Sequence, residues 1–250
     1  MGHVIRCQVG SESILLDLDS PDDAAGERNF EKWRADTYAT KEPDTLAWID
    51  RCVRAGEVLY DVGANIGQYG LYAGKRLAGR LKVLAFEPEA LNYAKLNRNI
   101  VLNRLAGVVV PYCLAVTDRT GPDQFYVRTF RPAASLHAMH RPVTQGEQPF
   151  EAANIQGMMG ASIDDLAGRF ALPFPNHIKV DVDGIEERIV AGARATLADA
   201  RLRSLLIEVY MAGDTADRIT RAVVACGMRL ANAEQADYTP GVASNLLFVR

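Results

Sequence analysis

A chain of 250 residues with 48% hydrophobic and 24% charged residues has the make-up of a globular protein with room for a full core. That length suits one α/β domain with a short N-terminal addition better than two complete domains. A formal charge of −3 with no basic stripe excludes a general nucleic-acid binder, because phosphate contacts need clustered Lys and Arg.

The opening run Met1-Gly2-His3-Val4-Ile5-Arg6 lacks the apolar centre of a secretion signal, and no later stretch approaches the ~20 apolar residues that span a bilayer. A cytoplasmic protein without a membrane partner is expected. Residues 4–9 and 13–18 alternate enough to predict a hairpin turned at Gly10, and Ser20-Pro21-Asp22-Asp23 breaks the pattern. Within 44–53, Leu46, Ile49 and Val53 share a helical face after Pro43, and Gly56 ends the segment. Residues 1–55 are expected to cover a main domain over 56–250 rather than stand alone.

From residue 58 onward, strands and helices alternate. Strands are predicted at 58–60, 81–86, 108–112, 177–182 and 204–209. One helix over 90–101 carries Tyr93, Leu96, Asn97 and Ile100 at helical spacing, and a second carries Ile185, Ile189, Ala193 and Leu197. A third, over 217–225, stops at Gly227, and 228–231 and 245–249 read as closing strands. This order predicts a three-layer α/β sandwich around a mostly parallel sheet. The insertion over 119–160, punctuated by Pro122, Pro132, Pro142 and Pro149, departs from the rhythm. Phe125-Tyr126-Val127 reads as a short strand within it, and 135–140 as a loop or short helical turn. A connection of this length is commonly a functional lid, and it would emerge where an open α/β sheet binds ligands, so it is assigned to substrate recognition.

Cys7, Cys52, Cys113 and Cys226 form no C-x-x-C pair, which speaks against a zinc site or a disulfide framework. His137 and His140 could share a helix face but lack a third ligand, so no metal is expected. His3 and His177 offer nothing specific.

The most informative segment is Asp61-Val62-Gly63-Ala64-Asn65-Ile66-Gly67. An acid closes an apolar strand, two glycines follow four apart, and a helix starting near Ile66 would add its N-terminal dipole to a ligand-binding turn. A dinucleotide turn has three glycines in G-x-G-x-x-G order, which this one lacks. The next strand ends in Glu87-Pro88-Glu89, where Glu87 can accept both hydroxyls of a ribose. A D-x-G-x-x-x-G turn followed by such an acid resembles the class I S-adenosylmethionine (SAM) methyltransferases, with Asp61 and the glycines facing the methionine end.

Five segments extend the resemblance: Lys41-Glu42-Pro43-Asp44-Thr45-Leu46, Tyr60 to Gly67, Phe86-Glu87-Pro88, Ser162-Ile163-Asp164-Asp165-Leu166, and Ile178-Lys179-Val180-Asp181-Val182-Asp183-Gly184-Ile185-Glu186. In this order, over 42–210, they resemble the FkbM family of SAM-dependent methyltransferases. The resemblance implies a Rossmann-like class I sheet and O-methylation of a hydroxyl on a small natural-product or saccharide acceptor. It departs at Asp183, where the family commonly has Glu. For the cofactor, Asp61, Gly63, Asn65, Gly67, Glu87 and Pro88 are expected, with Asn92 and Asp118 near the ribose and adenine. A homo-oligomer is compatible with the sequence.

Alternation along the fourth strand should send Asp181 and Asp183 to one side and Val182 to the other. Asp183 with Glu186 also has the spacing of a helix-capping pair, as do Ser162 and Asp165, where capping is favoured outright. A hydroxyl acceptor must lose a proton, and Asp181, Glu208, His137 and His140 are the available bases. Asp181, His137 and Glu208 are taken as the catalytic candidates. Two alternatives remain: a nicotinamide-dependent oxidoreductase, and a SAM-binding module without catalysis.

Overall fold

Tyr60 and Val62 face one apolar cluster while Leu59, the residue before Tyr60, faces another, and this alternation makes the sheet a partition between two cores. The computed structural model describes residues 3–20, 22 and 28–250. Strands β1 (His3–Val9) and β2 (Glu12–Leu18) form the expected antiparallel hairpin. Of the break expected next, Pro21 and Asp23 lie outside the described residues. Helices α1 (Phe30–Asp36) and α2 (Pro43–Cys52) follow, then β3 (Val58–Val62), α3 (Gln68–Arg76), β4 (Lys82–Phe86), α4 (Ala90–Leu102) and β5 (Val109–Tyr112). The insertion contributes β6 (Ala115–Val116), β7 (Gly121–Val127), β8 (Ala138–Met139) and β9 (Asn154–Ala161). The chain continues through α5 (Ile163–Ala167), β10 (His177–Val180), α6 (Glu186–Ala191), α7 (Arg194–Ala198), β11 (Ser204–Tyr210), α8 (Thr215–Ala225), β12 (Arg229–Leu230) and β13 (Ala243–Val249).

The main sheet has the order β12-β13-β11-β10-β3-β4-β5. Its five strands from β11 to β5 are parallel, and β13 and β12 close it antiparallel. Sequence order reverses between β3 and β10, and at such a switch point the loops leave in opposite directions and open a crevice beyond the carboxyl ends of the strands. The hairpin is fastened to α4 by polar groups: the Leu15 and Asp17 amides donate to Asn103 and Asn99 at 2.9 and 2.8 Å, and buried Lys95 reaches Asp17 at 2.7 Å.

Three expectations change. The insertion is a second sheet, ordered β6-β9-β7-β8, in which β7 and β9 pair antiparallel from Gly121↔Gly160 to Val127↔Asn154. Pro122 stands second in β7, opposite Met159, and Pro132, Pro142 and Pro149 lie between the strands. The helical turn considered for 135–140 is absent: Ala138–Met139 is the short strand β8, so His137 and His140 share no helix face. The single helix through Ile185 and Leu197 is two, α6 and α7, parted at Gly192, where a Cβ would lie 2.5 Å from the Thr117 carbonyl oxygen. Among the described residues no helix is long and apolar enough to cross a membrane.

Candidate active site

The turn after β3 is held by backbone geometry that its residue types permit. Gly63 has φ +77°, and a Cβ there would stand 1.9 Å from the Asp181 carbonyl oxygen, so the glycine lets the ends of β3 and β10 approach as well as opening the turn. Gly67, at φ +94°, caps α3, and Asn65 takes a left-handed φ of +50°. Asp61 is buried beneath the turn. Its Oδ2 accepts the Gly70 amide at 3.0 Å, while Oδ1 has no partner among the described residues, and burial raises its carboxyl.

Glu87 closes β4 with its carboxylate fixed at both oxygens. Oε2 accepts the Asn65 amide and Oε1 the Glu89 amide, each at 2.8 Å. Burial outweighs these bonds and pushes the carboxyl up to about 7. Each oxygen keeps a lone pair free for a ligand hydroxyl. Asn65 and Asn92 both donate to the Ala134 carbonyl, at 2.8 and 3.1 Å, and tie the turn and α4 to the insertion.

On the other side of the switch point, Lys179 is buried with Nζ 2.8 Å from Asp181 Oδ2 and 4.6 Å above the Tyr69 ring. Burial alone would raise the Asp181 carboxyl, but Lys179 and then Lys41 outweigh it and hold it below the usual carboxylate range. Glu208, on the neighbouring strand, shows the reverse. The negative charge of Asp181, reinforced by burial, lifts its carboxyl well above that range. Its oxygens make no hydrogen bond among the described residues.

Residues 135–137 approach from the insertion. Asp183 does not cap α6: Ile185 occupies that position, Glu186 accepts the Gly184 amide, and Asp183 accepts the Leu136 amide at 2.6 Å. Asp183 therefore ties this roof to the end of β10, with burial raising its carboxyl to about 6. Because β10 ends at Val180, Val182 lines the same cavity as both acids, against the alternation expected from the sequence. His137 Nδ1 accepts the Arg128 amide at 3.1 Å, and burial holds the ring near a pKa of about 4. Its neutral ring therefore carries the proton on Nε2, which makes that nitrogen a donor. His140 pairs with Asp123 at 2.7 Å instead.

These groups surround a cavity of about 300 Å³ at the switch point. Of the residues singled out from the sequence, Gly63, Asn65, Glu87, Pro88, Asn92, His137, Asp181 and Glu208 line it. Asp61 and Gly67 support it from beneath. Asp118 stands apart: burial would raise its carboxyl, but the Arg188 guanidinium at 2.8 Å holds it low. Sequence reasoning missed Arg34 and Gln68, which also line the cavity. Asn29 before Phe30 marks the start of α1, since its side chain accepts the Lys32 amide. Nothing in a seven-residue helix, however, shows that its arginine turns inward.

Residues 61–230 match the methyltransferase FkbM domain, and the chain belongs to that family of SAM-dependent methyltransferases. It is 29% identical over 194 residues to the 31-O-demethyl-FK506 methyltransferase FkbM of Streptomyces tacrolimicus, an alignment covering 65% of this chain and 72% of the relative. It is 26% identical over 177 residues to the hexuronic acid methyltransferase AglP of Haloferax volcanii, covering 70% and 65% of the two chains. In fold, it resembles the Pyrococcus horikoshii protein PH0793 with a TM-score of 0.50 at 14% identity, over 99% of this chain and 71% of that one. The cavity suits SAM chemically: a sulfonium and an ammonium favour an acid-rich wall, and a ribose diol favours a fixed carboxylate such as Glu87.

Proposed function

We propose that the chain methylates a hydroxyl oxygen of a small natural-product or saccharide acceptor, with Glu87 receiving the ribose and Glu208 the acceptor proton. When bound, SAM supplies a methyl group on a positively charged sulfur, open to in-line displacement. The observation that carries the reading is the division of the cavity into a carboxylate fixed by two amides on β4 and one with no internal partner on β11.

The three candidate bases separate on geometry. Asp181 is locked to Lys179 and held anionic, which suits it to field and orientation rather than to taking a proton. His137 presents a donor and orients an acceptor oxygen. Glu208 is left: its carboxyl is unbonded and raised by Asp181, so it is a stronger base once ionised. The roof of residues 134–137, tied through Leu136 to Asp183 and through the Ala134 carbonyl to Asn65 and Asn92, excludes water and aligns the acceptor, where most of the catalytic benefit of such a reaction resides. The two relatives are named for methylation at a natural-product oxygen and of a hexuronic acid, which supports a hydroxylated acceptor.

The test is incubation with methyl-labelled SAM and a panel of hydroxylated saccharides and macrolides, with the label located by NMR. Label on an acceptor oxygen is expected. Label only on nitrogen or carbon, or SAM binding without transfer to any acceptor, overturns the reading.

A further inference from the structure

Arg34 is a buried cation that the reading above leaves without a task. It is 7% exposed and lines the cavity from α1. Nε donates to the Ala133 carbonyl at 2.8 Å and Nη1 to Gln68 Oε1 at 3.2 Å, both neutral partners. Among the described residues no carboxylate pairs with it, and Nη2 carries no hydrogen bond. A guanidinium keeps its proton in a protein, so a buried one without a counter-ion is costly. Its charge reaches Glu87, Asp181 and Asp183, yet each of these has other partners: two amides, Lys179 and the Leu136 amide. The missing anion has to arrive with a ligand.

We infer that Arg34 binds the α-carboxylate of the amino-acid end of SAM, an inference that rests on the cofactor reading of the cavity. The choice of cofactor over acceptor comes from where Arg34 is fastened. Gln68 follows Gly67 at the head of α3 and returns a bond to the Arg34 carbonyl at 3.1 Å. Ala133 precedes Ala134, whose carbonyl receives Asn65. Arg34 is thus bound to the two segments that frame the Gly63–Gly67 turn, while Glu87 holds the same turn from the β4 side through the Asn65 amide. A ligand lying along the turn with its ribose at Glu87 directs its other, zwitterionic end toward Arg34. The planar fork with its free Nη2 suits a carboxylate.

The experiment is calorimetric titration of the wild type, Arg34→Gln and Arg34→Lys with S-adenosylhomocysteine (SAH) and with 5′-methylthioadenosine, which lacks the amino-acid end. The wild type should prefer SAH. Arg34→Gln should lose roughly 10- to 100-fold in affinity for SAH and keep its affinity for 5′-methylthioadenosine. Arg34→Lys, which retains the cation and is the gentler change for folding, should lose less, and again for SAH alone. Equal losses for both ligands in both variants make Arg34 a packing residue and overturn the inference, as does no loss at all. Equal wild-type affinity for the two ligands overturns it too. Failure of the wild type to bind either ligand removes the cofactor reading, and the inference with it.

Discussion

The two ends of β10 and β11 are both buried and polar, yet they are built on opposite terms. At the amino end, His177 lies between Ser204 and Glu57 at 2.7 and 2.8 Å, Trp48 donates to the same serine at 3.0 Å, and the Arg54 amide and Arg203 side chain complete Glu57. Neutral His177, its pKa lowered chiefly by burial, donates from Nε2 to Glu57 and accepts at Nδ1. Every polar group there has an internal partner. At the carboxyl end, Asp61 Oδ1 and His137 Nε2 have none among the described residues, and the Glu208 carboxylate is unbonded. A serine, histidine and acid in contact are therefore structural where the set is closed, while unmet bonding capacity beside a cavity marks where a ligand belongs.

The largest expected effect that would break this comparison is at Glu208. Glu208→Gln should lower kcat by about 100-fold or more with SAH affinity unchanged. In the wild type, kcat should rise with pH through a midpoint above the usual carboxylate range, since Glu208 must ionise to accept a proton. Near-normal turnover in the variant would return the open end to a structural role.

Glu87 sharpens the contrast through stability. Its folded pKa of about 7 lies above the ordinary 4.5, so it favours the fold below pH 4.5 and that contribution is lost as pH rises through 7. The loss in the ligand-free protein is about 3 kcal/mol. Glu87→Gln should remove this pH dependence, so that urea unfolding of the variant changes little between pH 5 and pH 8 while the wild type loses stability, and the variant should bind SAH more weakly, its NH2 facing one of the two amides that the carboxylate accepts. A variant that keeps the wild type's loss of stability between pH 5 and pH 8 would place that titration on another group.

At the closed end, Ser204→Ala orphans Trp48 Nε1 and His177 Nδ1 together and should cost roughly 1–3 kcal/mol, with SAH affinity unaffected. A matching loss of affinity would show the two ends to be coupled. The smallest effect belongs to Asp118, half-exposed and paired with Arg188 outside the cavity. Asp118→Ala should change stability by less than about 1 kcal/mol and leave SAH titrations unaltered; a clear loss of binding would bring this residue back to the adenine.

Much of the fold was legible because the signals were local. The alternation of β1 and β2, Pro43 at the head of α2, the turn after β3 and the acid ending β4 each lie within a few residues of one another. The Ser162 cap on the Asp165 amide, at 3.1 Å, was read from spacing alone. The insertion resisted, since β7 pairs with β9 across residues that carry no period, and α1 is too short to show one.

By itself the sequence determined a wound parallel sheet, the acid-and-glycine turn, Glu87 at a strand tip, and the ordered motifs of a methyltransferase family. Those follow from side-chain periodicity and backbone conformation, which act over a few residues. Only the tertiary structure decided which acids are spent and which are free: that Lys179 occupies Asp181, that Leu136 occupies Asp183, that the Arg128 amide fixes the proton of His137 on Nε2, and that Arg34 reaches the cavity. Each outcome depends on partners far apart in the chain, because burial and Coulomb interaction act through space and set the chemistry of a side chain by what surrounds it.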